Sequence, residues 1–322
     1  MPKFDFKGVI ATAFTPFNDD ENRSLNLSVI PQIAEYFRKS SFGCVLINGT
    51  YGEGMAMTVD ERMKVADAWS EAVGQATVGR NKQQLMIQVG GTNLQDVKRL
   101  AEHAQSIKAE ALLCLPELYY KPKTVAELID YLKEVGEAAP DTPLFYYHSP
   151  LATGVALAMD EVFFTLCKDR IPSFAGVKFA IAHLDDLLRA VRSAGDRFKV
   201  IVASNHNLPA YVQMGIDTFM PTAVSVRPTT VMKIYEAAAS GRYREAQELQ
   251  KPWSDFVDSI AALNNGNAAP PMKAMAARSS NIILGPPRKP LKSFETPEGL
   301  AQITDLLMKM DSQFQLHQVS YC

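Results

Sequence analysis

Short apolar runs rich in β-branched residues return about eight times along this chain, each followed by a longer stretch with helical spacing. The runs fall at 8–12, 44–48, 85–89, 111–115, 143–147, 176–179, 200–203 and 218–221. Between them, Val59, Met63, Ala66 and Trp69 recur at the interval of one helix face, and Val97, Leu100, Ala101, Ala104 and Ile107 do the same. The strand-like runs are almost continuously apolar rather than alternating, which suits parallel strands covered on both sides. Repetition of this unit without a break in composition predicts an α/β fold, a closed (β/α)8 TIM barrel. A doubly wound sheet, the competing architecture, usually places a glycine-rich turn after its first strand. Here that turn is Thr12-Ala13-Phe14-Thr15-Pro16-Phe17 and holds no glycine.

Beyond the eighth run lie three further helical stretches, near 227–263, 270–282 and 296–313, with Gly285-Pro286-Pro287 as a breaker between the last two. The first is long enough to hold the barrel's eighth helix and one more. The expectation is a single domain over 1–322, with 8–226 forming the barrel through its eighth strand and 227–313 adding the eighth helix and additional C-terminal helices. Residues 313–322 are polar enough to fray and carry no evident role.

Composition narrows the function classes. With 322 residues, 47% of them hydrophobic, there is material for a large core, and a net charge of −2 gives no reason to expect a nucleic-acid partner. No apolar run approaches the roughly 20 residues of a membrane span, and the N-terminus does not read as a signal peptide. Cys44, Cys114, Cys167 and Cys322 form no CxxC pair, and the first two sit in strand-like runs as small core residues. A reducing, cytoplasmic setting follows as the expectation.

In such a barrel the chemistry sits where strands end and loops begin. Three features stand out there. Lys178 lies in the apolar run Phe174-Ala175-Gly176-Val177-Lys178-Phe179-Ala180. Burial disfavours an ammonium relative to the free amine, and the free amine is what attacks a carbonyl. The same lysine could instead snorkel outward between helices or pair with a carboxylate. Tyr147 closes the fifth run, where a phenol can pass a proton to and from a substrate oxygen or simply line the rim. His148 follows it and, by strand alternation, should point the other way as a packing residue. The third feature is the loop Asn48-Gly49-Thr50-Tyr51-Gly52-Glu53-Gly54, whose backbone N–H groups could receive a carboxylate. Glu53 there is either a substrate contact or an acceptor for neighbouring backbone donors.

Taken in order, Gly49-Thr50-Tyr51-Gly52-Glu53, Tyr147-His148-Ser149-Pro150 and Gly176-Val177-Lys178 resemble the motifs of the N-acetylneuraminate lyase and dihydrodipicolinate synthase superfamily of class I aldolases. The resemblance runs from Gly8 to about Leu291. Phe145-Tyr146-Tyr147-His148, Thr153-Gly154-Val155 and Gly285-Pro286-Pro287-Arg288 resemble the animal sialic-acid lyase branch in particular. It implies a retro-aldol reaction on a 2-oxo acid held as a Schiff base on Lys178. Tyr147 would accept the C4 hydroxyl proton, and Thr50 would connect to Tyr147 and help hold the carboxylate together with Tyr51, Gly52 and Glu53. It also implies no metal or organic cofactor, and a homotetramer built as a dimer of dimers. In that assembly Tyr119, from Leu118-Tyr119-Tyr120-Lys121-Pro122, would cross the subunit interface.

Departures from the family pattern cluster where specificity is read. Tyr51 replaces a small hydroxyl residue. Ala180 opens the segment Phe179-Ala180-Ile181-Ala182-His183-Leu184, where the lyases carry a hydroxyl. Asn205-His206 stand in place of an Asp-Glu pair, and Pro221-Thr222 in place of Gly-Ser. Losing groups that bind hydroxyls relaxes or redirects substrate choice. Three functions therefore stay open. One is a pyruvate-forming lyase acting on N-acetylneuraminate or a related 2-oxo-3-deoxy sugar acid. The second is a Schiff-base aldolase, dehydratase or decarboxylase on a smaller, more apolar 2-oxo acid. The third is a non-catalytic paralogue.

Overall fold

A computed structural model describes residues 2–74, 82–180 and 183–319, with side chains through 314. Nine parallel strands make its sheet: β1 (Gly8–Val9), β2 (Ala11–Thr12), β3 (Cys44–Ile47), β4 (Gln84–Gln88), β5 (Ala111–Cys114), β6 (Leu144–His148), β7 (Phe174–Ala180), β8 (Lys199–Ala203) and β9 (Thr218–Phe219). Their order is β1-β9-β8-β7-β6-β5-β4-β3-β2. Strands β1 and β2 are halves of one chain segment divided at Ile10. The first half pairs with β9 and the second with β3, so this segment closes an eight-membered ring. Ile10 keeps its own bond to the closing strand, its N–H donating to the Phe219 carbonyl at 2.8 Å.

The sequence expectation of one unbroken run over 8–12 is corrected by that division. Ends shift elsewhere by a residue or two; β9 stops at Phe219, short of 221, and β7 starts at Phe174 rather than 176.

Strand alternation sorts the side chains into two layers. Ile10, Leu46, Met86, Leu113, Phe145, Ile201 and Met220 fill the barrel interior, and Phe4 closes it from below with its ring 5.4 Å from that of Phe145. Val45, Ile87, Leu112, Val177 and Val202 face outward and pack under the helices. Both layers are apolar, which explains why the strands read as continuous rather than alternating runs. The helices begin where short polar side chains can accept an orphan N–H. Asn93, Thr124 and Asp160 cap the helices Leu94–Ser106, Val125–Ala138 and Glu161–Arg170.

The stretch expected over 227–263 is two helices, Pro228–Ala239 and Tyr243–Leu263, turned at Gly241 with φ 77°. Ala269–Ser280 and Pro297–Val319 follow, the latter running on past the expected end at 313. Cys44 and Cys114 are buried, one in each layer, and Cys167 is buried as well; Cys322 lies outside the described residues. Among the described residues no helix is long and apolar enough to cross a membrane.

Candidate active site

Lys178 lies in the middle of β7, opposite Tyr147 of β6 and Ile201 of β8 in the sheet register. It shares its parity with the interior residues, so its side chain enters the barrel and is only 3% exposed. Gly176, two residues earlier on the same face, makes that possible. A Cβ there would stand 1.9 Å from the Lys199 carbonyl oxygen, so any side chain would push β7 off β8.

The Lys178 ammonium sits 3.7 Å from the centroid of the Tyr147 ring. Among the described residues no carboxylate forms an ion pair with it, which removes the pairing and snorkelling alternatives. Tyr147 is itself buried. Burial pushes its phenol up, but the charge of Lys178 and hydrogen bonds with Lys178, Thr50 and Ser149 outweigh this and hold it below its ordinary value. A phenol so placed can exchange a proton with a neighbouring oxygen.

Thr50 approaches Tyr147 from an exposed position on the loop after β3. Ser149 approaches it as well. Its two-residue spacing from Tyr147 is a signal in the sequence that both face the same way. His148 points outward, its ring 4.8 Å from Phe179 and 5.8 Å from Tyr146.

The loop carrying Thr50 is shaped by close backbone contacts. A Cβ on Gly54 would fall 2.0 Å from the Asn48 carbonyl oxygen, and the Gly52 carbonyl accepts the Thr15 hydroxyl at 2.6 Å. Glu53 takes a left-handed conformation, φ 53°, that non-glycine residues rarely adopt. Its carboxylate holds it there: Oε1 is 2.7 Å from Lys273 Nζ, and Oε2 accepts the Arg288 N–H at 2.8 Å. The expectation of Glu53 as a substrate contact is therefore corrected. With both oxygens engaged and the residue 5% exposed, it is a structural acceptor that anchors the loop to the C-terminal helices. Lys273 had no marker in the sequence, since 220 residues separate it from Glu53.

Around the far side of the mouth, the loops after β8 and β9 meet. Asn205 donates from Nδ2 to the Thr222 hydroxyl at 2.8 Å and accepts the Ala223 N–H on Oδ1 at 2.9 Å. The Tyr51 hydroxyl lies within hydrogen-bonding reach of Thr222, and its ring packs edge-on against Phe14 with centroids 5.9 Å apart. Burial raises the Tyr51 phenol, with Thr222 opposing. Ala180 ends β7 beside Ala203; Ile181 and Ala182, which follow it, lie outside the described residues. His206 is turned outward, its Nε2 3.4 Å from Asp258. Tyr119 is 83% exposed and stacks edge-on with Tyr120.

Comparison with known proteins identifies relatives over nearly the whole chain. Residues 5–308 match the dihydrodipicolinate synthetase family. The chain is 31% identical to N-acetylneuraminate lyase of Homo sapiens over 295 residues, which is 91% of this chain and 89% of that protein. It is 33% identical to the enzyme of the same name from Xenopus tropicalis, over 95% of this chain and 97% of the relative. Among solved structures, Proteus mirabilis N-acetylneuraminate lyase matches with a TM-score of 0.84 at 25% identity, covering 96% of this chain and 98% of that one.

Proposed function

The chain belongs to the dihydrodipicolinate synthetase family, and from that premise we propose that it is a class I lyase that cleaves a 4-hydroxy-2-oxo acid to pyruvate and an aldehyde. The observation that carries this reading is the Lys178–Tyr147 pair: a buried amine with no carboxylate partner among the described residues, over the ring of a buried phenol.

The Lys178 amine adds to the C2 carbonyl, and loss of water leaves an iminium. Tyr147 takes the C4 hydroxyl proton, the C3–C4 bond breaks, and its electron pair flows to the iminium nitrogen. An aldehyde departs and an enamine of pyruvate remains. Return of a proton to C3 and hydrolysis by water release pyruvate and restore Lys178. The iminium is a cation in a site lined by apolar side chains, so its stabilisation falls to nearby dipoles. Thr50 and Ser149 set the Tyr147 hydroxyl, and the N–H groups of the loop at 49–52 would receive the substrate carboxylate. No step in this scheme draws on a metal or an organic cofactor.

N-acetylneuraminate heads the panel of substrates to test, because it is the substrate in the relatives' names. Assembly as a homotetramer belongs to the same proposal, with Tyr119 lent across an interface. The exposed Tyr119–Tyr120 pair supports it, since aromatic side chains are enriched at interfaces.

The deciding experiment is borohydride reduction of the protein with pyruvate, followed by mass mapping. The expected result is an adduct on Lys178. A folded protein that yields no adduct with pyruvate or with a panel of other 2-oxo acids overturns the reading and favours the non-catalytic one.

A further inference from the structure

Ser204 and Asn205 after β8 and Thr222 after β9 are already paired within the protein. Asn205 uses both ends of its amide on Thr222 and Ala223, and its backbone carbonyl accepts Gln250 Nε2 at 2.9 Å. The Ser204 hydroxyl donates to the His206 carbonyl at 3.0 Å and accepts the His206 N–H at 3.1 Å. The Thr222 hydroxyl accepts the Asn205 Nδ2–H and faces the Tyr51 hydroxyl, while the Tyr51 ring packs against Phe14. Ala180, next to the reacting amine, offers only a methyl group.

A substrate tail rich in hydroxyls must leave water and find partners in this rim. Each hydroxyl that stays unpaired, or that displaces an internal bond, weakens transition-state binding by roughly tenfold or more. A short apolar tail carries no such penalty. Tyr51, on the loop after β3, adds the bulk of its ring beside Phe14 and Thr222.

We propose that the Tyr51–Thr222–Asn205 chain is the specificity determinant of this site, and that it selects 4-hydroxy-2-oxo acids whose chain beyond C4 is short and apolar. The proposal rests on the Schiff-base reading above and narrows its substrate class. The site differs in this from one built to grip a polyhydroxylated tail, in which such groups stay open to the ligand.

The test measures kcat/KM for pyruvate release from racemic 4-hydroxy-2-oxopentanoate and from N-acetylneuraminate, with the pyruvate–borohydride trap run alongside. The expected result is an adduct on Lys178 and a preference for the short acid of about 100-fold or more, as two unpaired hydroxyls would give. In the Tyr51→Thr and Asn205→Asp variants that preference should fall at least roughly tenfold, because hydroxyl-binding groups are freed. An adduct together with equal or better cleavage of N-acetylneuraminate overturns this proposal and leaves the Schiff-base reading standing. So does an adduct with cleavage of neither substrate. Absence of any adduct instead removes the parent reading.

Discussion

Lys178 and Lys273 are buried to the same degree, 3% and 2% exposed, and each ammonium lies over an aromatic ring, Tyr147 at 3.7 Å and Phe17 at 4.4 Å. Their remaining surroundings differ in kind. Lys273 is locked to the Glu53 carboxylate at 2.7 Å, in a network that Arg288 extends to Glu61 with two bonds of 2.7 and 2.6 Å. Burial pulls Lys273 below its ordinary value, and Glu53 only partly restores it. Lys178 has no carboxylate partner among the described residues, and its aromatic neighbour carries a hydroxyl. Burial alone therefore does not make a lysine a nucleophile. Under the proposed function, what distinguishes Lys178 is that no carboxylate among the described residues compensates its charge.

The largest expected effect separates the two residues by activity. Lys178→Met should lower pyruvate release by about 10⁴-fold or more while leaving the fold intact or slightly more stable, since it removes a buried cation without an ionic partner. Activity assays paired with urea unfolding check both halves. Substantial residual turnover would place the nucleophile elsewhere and end the contrast.

Next in size is the reverse experiment. Lys273→Met should strand the Glu53 carboxylate and cost about 3–5 kcal/mol of stability by urea unfolding. Activity would fall only as far as the loop holding Thr50 loosens. A loss under roughly 1 kcal/mol would mean that Arg288 and the loop backbone hold Glu53 without Lys273.

A third buried base extends the comparison to a group with nothing to receive its proton. His148 is buried against Tyr146 and Phe179, and its Nδ1 has no hydrogen-bond partner among the described residues. Burial lowers it to about 4, with Asp186 opposing. An unfolded histidine binds its proton near 6.5, so between about 6.5 and 4 the unfolded chain takes up more protons than the folded one. Stability should fall as the pH drops through that window, by roughly 2–3 kcal/mol from this residue at pH 4.5. His148→Phe, which suits an aromatic cluster, should flatten the difference between unfolding measured at pH 7 and at pH 4.5. An unchanged difference would show that other groups set the acid sensitivity.

The barrel was legible because its evidence is local. Each β/α unit carries its own apolar run and helical period, and the two-residue alternation already turned Tyr147 inward and His148 outward. Lys178 and Thr50 were legible for a related reason: each stands in a short motif at a strand end. Ser149 could have been found the same way. The division of the first strand at Ile10 could not, since it follows from the ring having to close between β9 and β3. The two readings of Glu53 could not be separated in the sequence, because its partner Lys273 lies 220 residues away on a helix with no chemical marker. Asn205 and Thr222 were recognised as departures, yet nothing in the sequence said that they would bond to each other.

The sequence by itself determined the strand–helix repeat, the side of the sheet on which each strand residue lies, and the order of the reactive motifs. All three depend on neighbours within a few residues, where the spacing of side chains along a strand or helix dictates direction. Tertiary structure alone decided which buried lysine meets a carboxylate, and which polar groups of the rim are already paired. Those outcomes depend on contacts between segments far apart in the chain, and closure of the barrel sets the distances at which such segments meet.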